Sequence, residues 1–133
     1  MTSVFADTFY FLGILNRADQ AYDACRRFAA EFEGRLFTTD YVLLELADGL
    51  ASQNYRLRAA RFIRQLRASP SVTTIAASER LFFQALQLYE SRSDKDWSLT
   101  DCASFVVTRE HNLTDAVIGD RHFEQAGFRA LLA

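Results

Sequence analysis

Proline, cysteine and lysine are all scarce in this chain of 133 residues. Pro70 is the only proline, and the two cysteines, Cys25 and Cys102, form no CxxC pair. No His/Cys cluster has zinc-ligand spacing, so a structural zinc site is excluded and no disulfide framework is expected. Both thiols read as reduced and buried, as in a cytoplasmic protein. Long apolar runs are missing too. None approaches the ~20 residues that span a bilayer, so no membrane association is expected. The start, Met1 to Asp7, has no basic region and no long apolar stretch, so no signal peptide is expected there. Neither GxGxxG nor GxxxxGK[ST] occurs, which disfavours nucleotide-cofactor chemistry.

Apolar residues, by contrast, are plentiful. Half of the chain is hydrophobic, enough for one real core without covalent staples, and residues 1–133 are expected to form a single domain. The net charge of −2 does not mark a nucleic-acid binder. Within it lies an asymmetry: of the 15 basic residues, all but Lys95 are arginine. Arginine forks onto phosphate where lysine acts as a point charge, although a codon bias would leave the same mark.

Hydrophobic periodicity gives an alternating pattern. Short apolar runs at Ser3–Ala6, Leu36–Thr39, Val72–Ile75 and Ala116–Gly119 read as buried strands, with Phe128–Leu132 as a short fifth. Helical patterns cover Phe9–Leu15, Ala18–Phe32, Tyr41–Ala51, Asn54–Ala68, Ser78–Glu90 and Ser98–Glu110, with about one turn at Arg121–Gln125. Strands alternating with helices predict a three-layer α/β/α fold around a parallel sheet of four to five strands. The first helix is apolar nearly all round, which suggests burial or a homodimer contact.

Ligands of such sheets bind at the carboxyl ends of the strands, and four acids fall there. Asp7 follows the first strand and Asp120 the fourth. Glu45 lies in the second turn of the helix after strand two, and Asp101 in the first turn of another helix. Each has an ordinary explanation. Asp7 and Asp120 are placed to cap helices, Ser98-Leu-Thr-Asp101 has the form of a capping box, and Glu45 shares a polar arc with Tyr41 and Asp48. Four acids at one edge repel each other, however, and such a cluster usually persists because a cation neutralises it. Carboxylates without Cys or an obvious His ligand favour Mg²⁺ or Mn²⁺, and phosphodiester hydrolysis by an activated water is chemistry that needs this arrangement.

Val4-Phe-Ala-Asp7-Thr, Thr38-Thr-Asp-Tyr-Val-Leu-Leu-Glu45, Trp97-Ser-Leu-Thr-Asp101-Cys and Asp120-Arg-His-Phe-Glu-Gln-Ala-Gly-Phe128 together resemble the PIN domain, in its bacterial VapC-type toxin branch. The resemblance runs almost from end to end. It implies a PIN-like fold and a Mg²⁺- or Mn²⁺-dependent endoribonuclease, the toxin of a type II toxin–antitoxin pair held inactive by a cognate antitoxin. It also implies an acidic quartet of Asp7, Glu45, Asp101 and Asp120, with Asp7, Asp101 and Asp120 as metal ligands and Thr8 and Thr39 as hydroxyl helpers. Many members carry Thr two residues before the last Asp; here the position is Ile118.

Other residues are weighed against bland alternatives. Arg61 and Arg64 belong to an acid-free helix face that would track RNA phosphates or simply be solvated. Asp96 is a loop acid that would touch metal only through water. Trp97 is a base-stacking candidate or a loop anchor, and His122 a candidate proton shuttle. A catalytically silent PIN-fold regulatory module and a housekeeping RNA-processing nuclease remain as alternatives. A receiver-like domain lacks its lysine at the sheet edge, and a haloacid-type phosphotransferase would need an acid at Phe9.

Overall fold

The structure, a computed structural model, describes residues 2–119 and 121–132. Five strands form one parallel sheet: β1 (Ser3–Ala6), β2 (Arg35–Thr39), β3 (Val72–Ile75), β4 (Asp115–Val117) and β5 (Arg129–Ala130), in the order β3-β2-β1-β4-β5. Register pairs Phe5 with Phe37 on one side and with Ala116 on the other. The helices are α1 (Thr8–Leu15), α2 (Tyr22–Glu31), α3 (Asp40–Gly49), α4 (Arg56–Ala68), α5 (Glu79–Ser91), α6 (Leu99–Glu110) and the single turn α7 (His122–Gln125). Right-handed crossovers put the connections from β1 through β2 to β3 on one face of the sheet, and those from β3 through β4 to β5, which run the other way, on the opposite face. The three-layer expectation therefore holds, with five strands.

Order reverses at β1: β2 and β3 lie to one side of it, β4 and β5 to the other. In open parallel sheets this switch point opens a crevice at the carboxyl ends of the two diverging strands. Asp7 stands directly after β1, at that crevice.

Several boundaries shift for local reasons. Residues 16–21 are turns rather than the start of α2, because the side chains of Asn16 and Asp19 each accept a backbone N–H two residues on, from Ala18 and Ala21. β4 ends at Val117, before Gly119. Gly127, at φ +97, closes α7.

The core holds β1 and β4 completely buried at Val4, Phe5, Ala6, Ala116 and Val117. Phe123 of α7 stacks on Phe5 at 5.8 Å and meets Phe105 of α6 edge-on at 4.8 Å. Helix α1 is absorbed by this chain's own core, with Tyr10 and Phe11 buried and Phe9, Leu12 and Ile14 packed against it. Its all-round apolarity therefore gives no argument for a subunit contact. The large apolar side chains left exposed lie elsewhere, at Leu44, Tyr55, Leu57, Phe82, Phe83 and Tyr89. Both thiols are free and buried. No helix among the described residues is long and apolar enough to cross a membrane.

Candidate active site

Asp7 occupies the N-cap position of α1, where an aspartate usually accepts a hydrogen bond from the first helical turn. Its side chain makes no such capping bond, and the residue is only 5% exposed. Capping therefore does not account for this acid. The backbone there is extended, with φ −104 and ψ 173, as it leaves β1 for α1.

The next residue, Thr8, donates its hydroxyl to Glu45 Oε1 at 2.6 Å, across 37 residues of sequence. A solvated helix face would not hold Glu45 in this way. A hydrogen bond to a charged group contributes about 1.5–3 kcal/mol, and this one ties α3 to the β1–α1 junction. Glu45 Oε2 accepts no hydrogen bond from the described residues. Thr39 serves differently. Buried at the N-cap of α3, it accepts the Val42 N–H at 3.1 Å and so sets the helix that carries Glu45.

Asp101 combines both of its possible roles. The capping box with Ser98 is complete: Ser98 Oγ accepts from Asp101 N at 2.9 Å, and Asp101 Oδ2 accepts from Ser98 N at 3.1 Å. The same Oδ2 lies 3.0 Å from His122 Nδ1. One oxygen thus fixes the side chain, and the other, Oδ1, is free of hydrogen bonds from the described residues. Tyr41, Leu99 and Thr100 enclose one small cavity of about 80 Å³, so the first turns of α3 and α6 lie side by side.

Asp120 lies outside the described residues. Gly119, just before it, runs so close to α1 that a Cβ there would stand 2.6 Å from Phe9 Cζ. Ile118 is fully buried and supplies no hydroxyl.

Two pairs are thus brought together, Thr8 with Glu45 and Asp101 with His122. Among the described residues no three His, Cys, Asp or Glu side chains form a ready-made metal cluster. The donor set still suits a hard divalent cation: all its candidate atoms are carboxylate oxygens, one acid is buried without capping a helix, and a second keeps an oxygen open.

The remaining candidates separate from this group. Asp96 is exposed on a cleft beside the α6 N-terminus. Trp97 is 4% exposed, packs edge-on against Phe105 and donates its indole N–H to Gln125, as a loop anchor does. On α4 the arginines divide. Arg56, Arg64 and Arg67 rim a groove of about 610 Å³ between α3 and α4, while Arg58 and Arg61 lie outside it. Arg67 is paired with Asp40. Among the described residues Arg61 and Arg64 have no ion pair, as a phosphate-tracking face would require.

The Asp101–His122 contact was hard to read from sequence, because α7 is one short turn. The available signal was His122 two residues after the last acid of the motif.

Comparison with known proteins bears on the family and the fold. A family model described as the PIN domain matches residues 4–129. The 23S rRNA-specific endonuclease VapC20 of Mycobacterium tuberculosis is 26% identical over 125 residues, which span 94% of this chain and 95% of that protein. The crystal structure of VapC20, described as a sarcin-ricin loop cleaving toxin, matches with a TM-score of 0.85 over 94% of this chain and 95% of that one. FitAcB from Neisseria gonorrhoeae, 15% identical, shares the fold at a TM-score of 0.66 over 96% of this chain and 95% of that one.

Proposed function

This chain belongs to the PIN-domain family, and on that premise we propose that it is a divalent-metal-dependent endoribonuclease, the cytoplasmic toxin of a type II toxin–antitoxin pair. The observation that carries the proposal is the placement of Asp7, a buried acid at the carboxyl end of β1, where the strand order of the sheet reverses and ligands of such sheets bind. The similarity to a 23S rRNA-specific endonuclease supports RNA as the substrate.

Asp7, Asp101 through Oδ1, and Asp120 would hold the ion, Mg²⁺ or Mn²⁺. When bound, the cation supplies Lewis-acid polarisation of the phosphoryl oxygen and neutralises charge on the leaving oxygen. Glu45, steadied by Thr8 at Oε1, presents Oε2 to take the proton of the attacking water. His122 and the Ser98 N–H hold Asp101 at Oδ2, which would leave Oδ1 for the ion. Arg61 and Arg64 add affinity for phosphates rather than turnover. A cognate antitoxin protein and a homodimer belong to the same reading, and Phe82 and Phe83 of α5 offer an exposed apolar surface for association.

The test is thermal melting with EDTA and with metal, beside cleavage of RNA. Wild type should gain roughly 2.7 kcal/mol at metal 100-fold above Kd. Asp7→Asn and Asp101→Asn should lose most of that gain, and cleavage should fall by orders of magnitude in both. Equal metal-induced shifts in all three proteins, with cleavage intact, would overturn the assignment.

A further inference from the structure

A second cleft, of about 580 Å³, opens where the end of α5 meets the loop before α6. That size is within the roughly 300–1,000 Å³ of small-ligand sites. Its wall includes Ser98, whose backbone N–H is bonded to Asp101 Oδ2. The cleft is therefore one hydrogen bond away from the candidate active site.

Its construction is specific. The guanidinium carbon of Arg92 sits 5.0 Å from the centroid of the Trp97 ring, covering a residue that is itself anchored to Gln125. Asp94 takes Arg92 Nε at 2.9 Å and Nη2 at 3.0 Å, so the donor fork is fixed in its plane. That pairing also lowers the Asp94 carboxyl to about 2. Held between Trp97 and Asp94, the Arg92 side chain stays 39% exposed and lines the cleft. Tyr89, 49% exposed, stands three residues earlier on α5 and lines the same cleft. Glu90 and Asp96 offset the charges of Arg92 and Lys95 there, which disfavours a bare anion. What remains is a flat, braced cation beside an exposed aromatic ring, a surface on which unstacked bases bind.

We propose that this cleft is a subsite for one unpaired base of single-stranded RNA, stacked on Arg92 with Tyr89 as the second wall. The proposal rests on the nuclease reading and adds to it a place where a nucleotide beside the scissile bond is held. Trp97 contributes indirectly, as the support beneath Arg92.

Binding can be measured without cleavage, in EDTA, by the anisotropy of a labelled single-stranded RNA hexamer. Trp97, the only tryptophan in the chain, gives a local fluorescence readout. The hexamer should change Trp97 emission saturably. Tyr89→Ala should weaken its binding about 5- to 150-fold, the worth of one base stack. Arg92→Lys, which keeps the charge and loses the planar face, should do the same. Duplex RNA, whose bases are already stacked, should bind both variants as it binds wild type. Wild-type affinity for the hexamer in both variants overturns the subsite, even if metal-dependent cleavage is intact. Saturation by adenosine monophosphate as tight as by the hexamer also overturns it, assigning the cleft to a free nucleotide. Variant-sensitive hexamer binding with no cleavage under Mg²⁺ or Mn²⁺ would support the subsite and remove the nuclease reading.

Discussion

Helices α6 and α4 are nearly equal in length, 12 and 13 residues, yet the fold treats them in opposite ways. α6 buries Cys102, Ala103, Ser104, Phe105, Val107 and Thr108, whereas α4 buries only Ala59. The hydroxyls of α6 bond back to its own carbonyls, Ser104 to Thr100 and Thr108 to Ser104, so its interior leaves no polar group wanting. α6 begins in a full capping box; α4 begins at Tyr55 with no side-chain cap. The difference suits the roles proposed for each. If Asp101 holds a cation, it must be placed to a fraction of an ångström, which demands a stiff, packed support. If the α4 arginines meet phosphates in solvent, they need reach rather than precision, and a loosely seated helix suffices.

The largest effect that would break this comparison is a core deletion on each side. Phe105→Ala removes a fully buried ring of α6 that meets Trp97 and Phe123 edge-on. It should cost about 3–5 kcal/mol. Phe62→Ala on α4 removes a half-buried ring whose aromatic partner is Phe11, and it should cost less than half as much. Denaturant melts give both values. Equal losses would mean that α4 is as firmly seated as α6.

A smaller effect sharpens the same contrast. Replacing Arg61 and Arg64 together with Gln should leave stability within about 0.5 kcal/mol, as for surface changes in general. RNA binding should weaken, and the slope of log K against log salt should fall. An unchanged slope would make α4 a solvated face and remove RNA contact from its role.

The contrast was only partly legible in the sequence. The strands, their alternation with helices and the parallel sheet followed from short apolar runs at regular spacing, because burial on both faces leaves that pattern. The capping box of Ser98 and Asp101 was legible for the same reason: it is local. Phe9 to Leu15 left two readings open, since a helix apolar on every side looks the same whether its own core or a second subunit covers it, and the structure shows its own core. For α4 the sequence offered an acid-free arginine face but not its surroundings: Leu57 remains 73% exposed while Ile63 lines a groove. The bond from Thr8 to Glu45 and the Arg92–Trp97 stack were out of reach, because each depends on how separate segments meet. Trp97 illustrates the limit. Its place before Asp101 suggested either stacking or anchoring, and only the indole bond to Gln125 decides for anchoring.

The smallest expected effect concerns Cys102, which is wholly buried on α6 one residue after Asp101. Burial, followed by the neighbouring Asp101 charge, pushes its thiol up to about 11. An unfolded cysteine titrates near 8.5. The folded state thus keeps a proton that the unfolded state releases between those values. Stability from this group is fully present below about pH 8.5 and is lost as pH rises toward 11. Wild type should therefore lose stability over that interval more steeply than Cys102→Ala. α4 contains no thiol, so Ala60→Ser on its exposed side should leave the wild-type pH profile unaltered. The measurement is the melting midpoint of each protein from pH 7 to pH 10. Parallel profiles for wild type and Cys102→Ala would mean that the thiol is reached by solvent, and that the α6 N-terminal turn opens more readily than its packing implies.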